Sequence, residues 1–420
     1  MNQYDAAALK AALERVGFTS GEPGDTPDVV LVNSCTVTAS TDRQNRQLIR
    51  RLRKAHPEAL LVVTGCQAEV FPEALRRMDE VDLVVGNREK ARLPHLILLA
   101  LNGGAASAQK PPRQEFLWES GVDHLPGRTR AFLHVQDGCE AFCTYCIVPY
   151  ARGPSRSRPL SSVLEEVRRM ERAGIREVVL TGIHIGLYGR DLSPPADLPN
   201  LLDEILGGCA IPRIRLSSVE PLEVDDLLLC RMKESSRICP HLHVPLQSGD
   251  DELLRWMNRP YSAAQYRERI HRALEAIPDL TLGCDVIVGF PGETHEHFLR
   301  TRNFLERLPF TYLHVFPFSS RPGTAASGLT DRVDPKEVKA RSRLLREMSL
   351  ARRAQVTASY VGRVLSVLVE RPKKGREGWL EGLTPNYLRV LVQGSQALHN
   401  KIVSVHAERV EGALLIGRLA

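Results

Sequence analysis

The chain contains no apolar run long enough to cross a bilayer, which excludes a helical membrane protein. Met1 to Glu14 lacks a basic segment followed by an apolar one, so no secretory signal is read there. The expected compartment is therefore the cytoplasm, and no membrane partner is expected. In the cytoplasm the nine cysteines stay reduced, and metal ligation or burial is expected in place of disulfides. No internal repeat covers the chain, which sets aside repeat architectures. The stretch from Tyr360 to Ala420 contains no Asp, five Glu and nine Lys or Arg. Between Lys336 and Arg353 another seven Lys or Arg face two Glu. The net charge is only +6, but its basic part is gathered toward one end. An anionic macromolecule is the expected partner, with a solvated helix face as the plainer alternative.

What is present is an ordinary globular composition, 43% hydrophobic and 25% charged, over 420 residues. That length implies two or three domains. Three short apolar runs, Val29–Val32, Leu60–Val63 and Leu83–Val85, alternate with helix-like segments, as buried parallel strands do. They lead into Asn33-Ser34-Cys35, Thr64-Gly65-Cys66 and Gly86-Asn87. Ligands of open α/β sheets gather beyond such strand ends, so Cys35 and Cys66 are expected to face one crevice. The first helix begins almost at residue 1, with no strand ahead of it. Residues 102–128 are rich in Gly, Ala, Pro and charge and read as a linker. Six further strand candidates follow: Phe132–Gln136, Val178–Thr181, Ile214–Ser217, His241–Leu246, Leu282–Val288 and Tyr312–Pro317. Helical crossovers separate them, which predicts a partial (β/α)6 barrel with its chemistry at the strand C-termini. A basic helix at about Pro335 to Ala358 leads into β-like runs of an OB-like small barrel. That tail reads as a separable module. The fold class is thus α/β throughout, with an open N-terminal domain (1–103), a barrel core (125–357) and a C-terminal β-barrel (358–420).

The sharpest signal is Asp137-Gly138-Cys139-Glu140-Ala141-Phe142-Cys143-Thr144-Tyr145-Cys146. Thiolates spaced C-x3-C-x2-C after a strand suit an iron–sulfur cluster or zinc. A structural zinc closes four positions, and no fourth Cys or His lies close by in sequence. Three ligands leave one iron of a four-iron cluster open to a small molecule. Cys209, Cys230, Cys239 and Cys284 match no ligand motif and read as buried or partly buried thiols.

C-x3-C-x2-C at the first strand of a (β/α) barrel resembles the signature of the radical S-adenosylmethionine superfamily. The resemblance implies that Cys139, Cys143 and Cys146 hold a 4Fe-4S cluster. Its open iron would chelate S-adenosylmethionine, whose reductive cleavage yields a 5′-deoxyadenosyl radical. Tyr145 fits the aromatic that meets the adenine in that loop. The likeness narrows further. Asn33-Ser34-Cys35-Thr36-Val37-Thr38 and Thr64-Gly65-Cys66-Gln67-Ala68-Glu69 look like cysteine motifs of the methylthiotransferase N-terminal domain. Arg215 to Pro221, His243 to Gly249 and Asp285 to Thr294 fit the family's third, fourth and fifth barrel strands. The tail resembles a TRAM module, a small RNA-binding barrel. Ser218, Gln247 and Asp285, polar and at strand ends, are candidate contacts to S-adenosylmethionine, or else strand caps. Gly289, Pro291 and Gly292 shape a turn whatever the chemistry.

The family pattern is broken at one place. The resemblance implies a second, auxiliary 4Fe-4S cluster on three N-terminal cysteines, and only Cys35 and Cys66 are present. The family's first cysteine stands in a Gly-Cys-x-x-Asn context whose Asn aligns with Asn2, so that cysteine would fall before residue 1, and the expectation is a start upstream of Met1. With two thiolates the auxiliary cluster is expected to bind poorly.

The activity implied is methylthiolation at carbon 2 of an adenine in a tRNA anticodon loop. An electron donor such as flavodoxin or ferredoxin and a sulfur donor would serve it. The opening Asn2-Gln3-Tyr4-Asp5 and the stretch from Ala151 to Arg158 look most like the branch acting on N6-threonylcarbamoyladenosine at position 37. Arg152, Arg156 and Arg158 are the candidate substrate-binding residues, and Arg156 is expected to grip the threonylcarbamoyl carboxylate. Trp379 and Tyr387 are candidate base-stacking residues, or core residues. The alternatives are a relative acting on isopentenyladenosine or on a ribosomal protein, and an impaired RNA-binding iron–sulfur protein.

Overall fold

The computed structural model describes residues 2–22, 24–103 and 129–420. The linker expected at 102–128 falls almost wholly outside the described residues. In chain order the elements are α1 (Asn2–Arg15), β1 (Val29–Ser34), α2 (Ala39–Ala55), β2 (Leu60–Gly65), α3 (Cys66–Val70), α4 (Pro72–Arg76), β3 (Leu83–Val85) and α5 (Leu93–Leu101). After the linker come β4 (Arg130–Asp137), α6 (Val148–Arg152), β5 (Arg156–Ser157), α7 (Leu160–Arg172), β6 (Glu177–Gly182), α8 (Leu198–Gly208), β7 (Arg213–Leu216), α9 (Asp226–Glu234) and β8 (His241–His243). Then follow α10 (Asp251–Trp256), α11 (Ala263–Ala276), β9 (Thr281–Val288), α12 (His295–Arg307), β10 (Tyr312–Pro317) and α13 (Pro335–Ala358). The tail supplies β11 (Val364–Pro372), β12 (Trp379–Leu383), β13 (Arg389–Gln393), β14 (Ile402–Glu411) and β15 (Leu414–Leu419).

The chain divides into two compact units. One contains the N-terminal region together with residues 137–156 and 319–328; the other contains residues 157–318 and 329–420 with most of β4. In the first, β1, β2 and β3 form a parallel sheet in that order. Its strands are buried on both faces, which is why they read as continuous apolar runs. Val32, Leu61, Val63 and Val84 pack with Ile49 of α2 on one side. Val62 and Val85 pack with Leu9 of α1 and Leu93 and Ile97 of α5 on the other.

The second unit holds a strand series in two sheets, β5-β4-β6-β7 and β8-β9-β10, in which β4, β6 and β7 run parallel, as do β8, β9 and β10. Single bridges at Ile214–Ile238, Ser218–His243 and Gln247–Val286 join neighbouring segments. The expected strand His241–Leu246 is thus cut to three residues. Pro245 has no N–H for a ladder, and beyond it Leu246 and Gln247 both donate to the Asp285 carbonyl. The short β5 was not anticipated from the sequence. Alternation along β9 sets the faces: Cys284 Sγ lies 3.1 Å from Tyr266 Oη of α11, so Gly283, Asp285 and Ile287 point inward. A Cβ on Gly283 would sit 2.3 Å from the Tyr312 ring, so glycine there makes room for that ring inside the barrel.

The tail closes into a five-stranded barrel in the order β11-β12-β13-β15-β14. Its Leu383–Leu388 turn seals the bottom of the larger barrel. Arg213 Nη1 donates to the Leu383 carbonyl at 2.9 Å and Arg215 Nη1 to the Pro385 carbonyl at 2.8 Å. Thr281 Oγ1 donates to the Asn386 carbonyl at 2.6 Å. Tyr387, at φ +67°, stacks on His241 with ring centroids 4.5 Å apart. Tyr387 is therefore a packing residue of this plug, and the tail is no detachable module. Beneath the plug Glu177 is fully buried. Arg215 grips both its oxygens, at 2.7 and 3.1 Å, with Arg130 and Arg213 within 3.9 Å. Burial raises the cost of the Glu177 carboxylate, and Arg215 beside it more than offsets that, so its pKa lies below the ordinary value. Glu177→Ala would leave these guanidiniums buried without their anion. A loss of about 3–5 kcal/mol in denaturant unfolding is expected. A change below about 1 kcal/mol would show that the cluster holds nothing together.

Candidate active site

The first unit is built to bring two cysteine-bearing strand ends together. Ser34 of β1 pairs with Gly65 of β2 in parallel register, so Cys35 and Cys66 follow at equivalent positions. Gly65 lies at φ +100°, and a Cβ there would stand 2.2 Å from the Ser34 carbonyl oxygen. Only glycine permits that approach. Asn45 of α2 then bridges the two loops, donating to the Cys35 carbonyl at 2.7 Å and to Gln67 Oε1 at 2.8 Å. Cys66 opens α3 and is buried.

The Cys139–Cys146 loop leaves β4 through Gly138, at φ +74°. A Cβ there would lie 1.9 Å from the Pro154 carbonyl oxygen. Cys139 N–H donates to the Gly153 carbonyl at 3.0 Å, and Cys146 N–H to the Cys143 carbonyl at 2.9 Å. Three thiols on one tight loop, Cys143 buried and Cys139 and Cys146 partly buried, are a soft donor set of the kind an iron–sulfur cluster takes.

Polar side chains tie this loop to the Cys66 loop. Asn87 Nδ2 lies 3.4 Å from Cys66 Sγ and donates to the Ala151 carbonyl of α6 at 2.8 Å. Arg152, buried at the end of α6, donates to Asp137 at 2.9 Å and to Asp5 of α1 at 3.0 Å. Burial opposes its charge, but Asp137, Asp5 and the nearby Cys66 outweigh that and hold the guanidinium above its ordinary pKa. Lys90 Nζ completes the chain to Asp5 and Asn33, each at 3.2 Å. From the other side Arg321 donates to Thr36 at 2.6 Å and Asp42 at 2.5 Å. Ala326 N–H bonds the Thr144 carbonyl within the cysteine loop. None of Asp5, Asn45, Asn87 or Arg321 was singled out in the sequence. Asn87 alone had a signal, its place at a strand end.

Arg156 donates to the Arg152 carbonyl at 2.8 Å and stands 3.5 Å from Asp137. Burial, with Arg152 and Arg88 nearby, pulls its pKa below the ordinary value against the attraction of Asp137. Arg158 lies in the second unit, 2% exposed, held by Ser162 at 2.9 Å and Glu166 at 3.5 Å. All three arginines have partners inside the protein, but Arg152 and Arg158 are buried whereas Arg156 is only partly so. Arg156 is the arginine of the three carried forward as a substrate contact.

Ser218, Gln247 and Asp285 gather in the second unit. Ser218 Oγ lies 3.0 Å from His243 Nδ1, whose Nε2 lies 2.9 Å from Asp285. Gln247, at φ +67°, donates its N–H to the Asp285 carbonyl at 2.8 Å. Burial would raise the Asp285 pKa, but hydrogen bonds from His243 and His314 bring it to about 2. Cys239 and Cys284 are buried, which pushes their thiols up to about 12 and leaves them inert. Cys230 is exposed rather than buried, with Sγ 3.0 Å from Glu234.

The radical SAM superfamily profile matches residues 133–305, and that of UPF0004, an uncharacterized protein family, matches residues 1–86. The chain is 36% identical to the threonylcarbamoyladenosine tRNA methylthiotransferase MtaB of Bacillus subtilis, covering 96% of this chain and 91% of the relative. The MtaB of Aquifex aeolicus is 37% identical over 96% and 97%. The chain belongs to the radical SAM methylthiotransferases. The tRNA-2-methylthio-N(6)-dimethylallyladenosine synthase of Acetivibrio thermocellus, at 31% identity, matches 100% of the methylthiotransferase and 88% of the relative. Among solved structures, the radical S-adenosylmethionine methyltransferase TsrM from Kitasatospora setae superposes with a TM-score of 0.59 at 19% identity, covering 78% of this chain and 74% of that one. The cobalamin-dependent enzyme OxsB gives 0.53 at 11%, covering 81% and 53%. These two share the fold. The methylthiotransferase is an enzyme of iron–sulfur and S-adenosylmethionine chemistry, and no helix among its described residues is long and apolar enough to cross a membrane.

Two measurements test this geometry. Arg152→Ala removes a charged hydrogen bond from each of Asp5 and Asp137, which keep Lys90 and Arg156 within reach, so a loss of about 1.5–3 kcal/mol is expected, with reduced iron uptake on reconstitution. Normal iron content with unchanged stability would remove Arg152 from the framework. Asp285 titrates at about 2, below the ordinary carboxylate range. Its contribution to stability is therefore complete above about pH 4 and is lost as pH falls toward 2. Stability profiles of wild type and Asp285→Asn should converge only in that acid window.

Proposed function

We propose that this enzyme methylthiolates carbon 2 of N6-threonylcarbamoyladenosine at position 37 of tRNA. Arg156 carries the choice of substrate. It is a guanidinium depressed by burial and by two like charges, beside a cysteine loop of the expected kind. A substrate carboxylate would relieve that depression, whereas the neutral isopentenyl group would not. The MtaB relatives named above supply the same substrate by their names.

In this proposal Cys139, Cys143 and Cys146 hold the cluster that binds S-adenosylmethionine, and Cys35 and Cys66 hold the auxiliary cluster. Residues 1–103 contain no other cysteine, so those two thiolates do not by themselves complete a three-thiolate set. When bound, these groups supply reductive cleavage of the cofactor, hydrogen abstraction from the adenine and the sulfur to be transferred. The chain's own residues do the placing. Asn45 and Asn87 fix the Cys35 and Cys66 loops. Asp137, Asp5 and Arg152 anchor the cysteine loop. Tyr145 sits within that loop as a contact to the cofactor's adenine, and Ser218, Gln247 and Asp285 line the barrel interior. The basic α13 and the tail barrel hold tRNA by phosphate contacts, with Trp379 as a candidate for stacking. A flavodoxin- or ferredoxin-class electron donor and a sulfur donor complete the cycle in the cytoplasm.

Nucleoside mass spectrometry on reconstituted enzyme tests the assignment. Cys143→Ala should abolish 5′-deoxyadenosine formation and methylthiolation together. Arg156→Lys keeps the charge but loses the two-pronged grip. A fall of about tenfold or more on threonylcarbamoylated tRNA is expected, with little change on phosphate-driven binding. Equal activity of Arg156→Lys and wild type sinks the clamp. A preference of the wild type for isopentenylated tRNA sinks the substrate.

A further inference from the structure

The inner face of β9 and β10 carries a hydrogen-bonded chain, Ser218–His243–Asp285, with an exposed histidine at ion-pair distance from its carboxylate. Ser218 Oγ lies 3.0 Å from His243 Nδ1, and His243 Nε2 lies 2.9 Å from Asp285 Oδ1. His314 Nδ1 approaches the same oxygen at 3.2 Å. An ionised carboxylate only accepts, so His314 carries its proton on Nδ1. In the neutral ring Nε2 is then a lone-pair acceptor, on a side chain that is 52% exposed. Phe316 follows two residues along the same strand face, also exposed, with its ring centroid 6.3 Å from that of His314. An oriented acceptor beside an open aromatic face suits a planar heterocycle with an N–H on its edge.

From this arrangement we infer that Asp285 and His314 form a base-recognition dyad, in which His314 Nε2 accepts the exocyclic N6–H of the target adenine while Phe316 stacks against the ring. The dyad presupposes the tRNA adenine substrate proposed above. N6 hangs from C6, on the far side of N1 from C2, so a grip at N6 leaves C2 open to reaction. A singly substituted N6 keeps one N–H whatever its substituent. His314 therefore recognises the adenine whatever its N6 carries. Asp285 is a positioning residue that sets the tautomer of His314. His243, backed by Ser218, holds Asp285 in place.

Anticodon stem-loop RNAs carrying adenosine, purine riboside or 2′-deoxyadenosine at the target position test the dyad by affinity for the reconstituted holoenzyme. Purine riboside lacks the exocyclic amine. Wild type is expected to bind the adenosine RNA about tenfold more tightly than the purine riboside RNA. His314→Phe keeps a ring but removes the acceptor, and should bring that ratio to about one. His314→Gln restores an acceptor oxygen and should recover most of the preference. Each ratio is taken within one variant, so a general loss of folding or RNA affinity cancels. Wild-type binding that ignores the amine overturns the dyad, whereas failure to bind these RNAs and threonylcarbamoylated tRNA alike overturns the tRNA substrate instead. A His314-dependent preference against 2′-deoxyadenosine alone places the contact at the ribose and overturns the N6 assignment. The three ligand atoms of His243, Asp285 and His314 lie within 4.8 Å of one another. Stoichiometric Zn²⁺ binding by the cluster-loaded enzyme, lost in His314→Phe, would show a cation there and likewise overturn the dyad.

Discussion

The paired grip of Arg152 on Asp5 and Asp137 is the constraint on which the first unit depends. Three charges leave water to make it, and removing water from an ion is costly. The cost is recovered only because both carboxylates are met at hydrogen-bond distance and Lys90 serves Asp5 a second time. Asp5 belongs to the first helix and Asp137 to the strand end that launches the Cys139 loop. Cys66 lies close enough for its charge to be felt by Arg152. One guanidinium therefore relates three pieces of chain that the sequence separates widely. The asparagines add direction: Asn45 links Cys35 to α3, and Asn87 links Cys66 to α6.

The second unit solves a different problem. A partial barrel has an open bottom, and here that bottom is lined by Arg130, Glu177, Arg213, His241 and Thr281 rather than by aliphatic side chains. Such a layer is stable only if every polar group finds a partner. The Leu383–Leu388 turn brings carbonyl groups that ordinary side-chain packing would not provide, and Tyr387 covers His241 with its ring. Polar contacts then continue up the interior through Tyr312 and His243 to Asp285. The order of the interior is thus electrostatic from its floor to its mouth.

Local features of the sequence carried the fold a long way. Val29–Val32, Leu60–Val63 and Leu83–Val85 are strands, and α13 runs over the expected Pro335–Ala358. These segments were legible because burial on two faces, or a helical stripe with a proline at its start, leaves a local mark. The Cys139 loop was legible because its spacing is itself the geometry. Arg152 and Asp5 were not paired in advance because 147 residues separate them and no periodicity relates them. Tyr387 was left open between base stacking and core packing, and it packs against His241. Its φ of +67° places it in the plug turn, and a tyrosine in that conformation gives no local signal. Trp379–Leu383 and Leu414–Leu419 escaped notice as strands because interspersed Glu, Gly and Arg break their apolar runs. Arg158 matched a motif, yet its burial beside Glu166 shows that a motif position can serve the framework.

The plug has a consequence for synthesis on the ribosome. The charged floor is encoded between Arg130 and Thr281, whereas its carbonyl partners come from Leu383 to Asn386. A nascent chain therefore holds an open, highly charged barrel for the whole time needed to translate about a hundred further codons, seconds at bacterial elongation rates. During that interval Glu177 and its arginines remain hydrated, and the interior cannot become dry. Closure of the barrel floor is in this sense post-translational by geometry, because the carbonyl groups that complete it are encoded last.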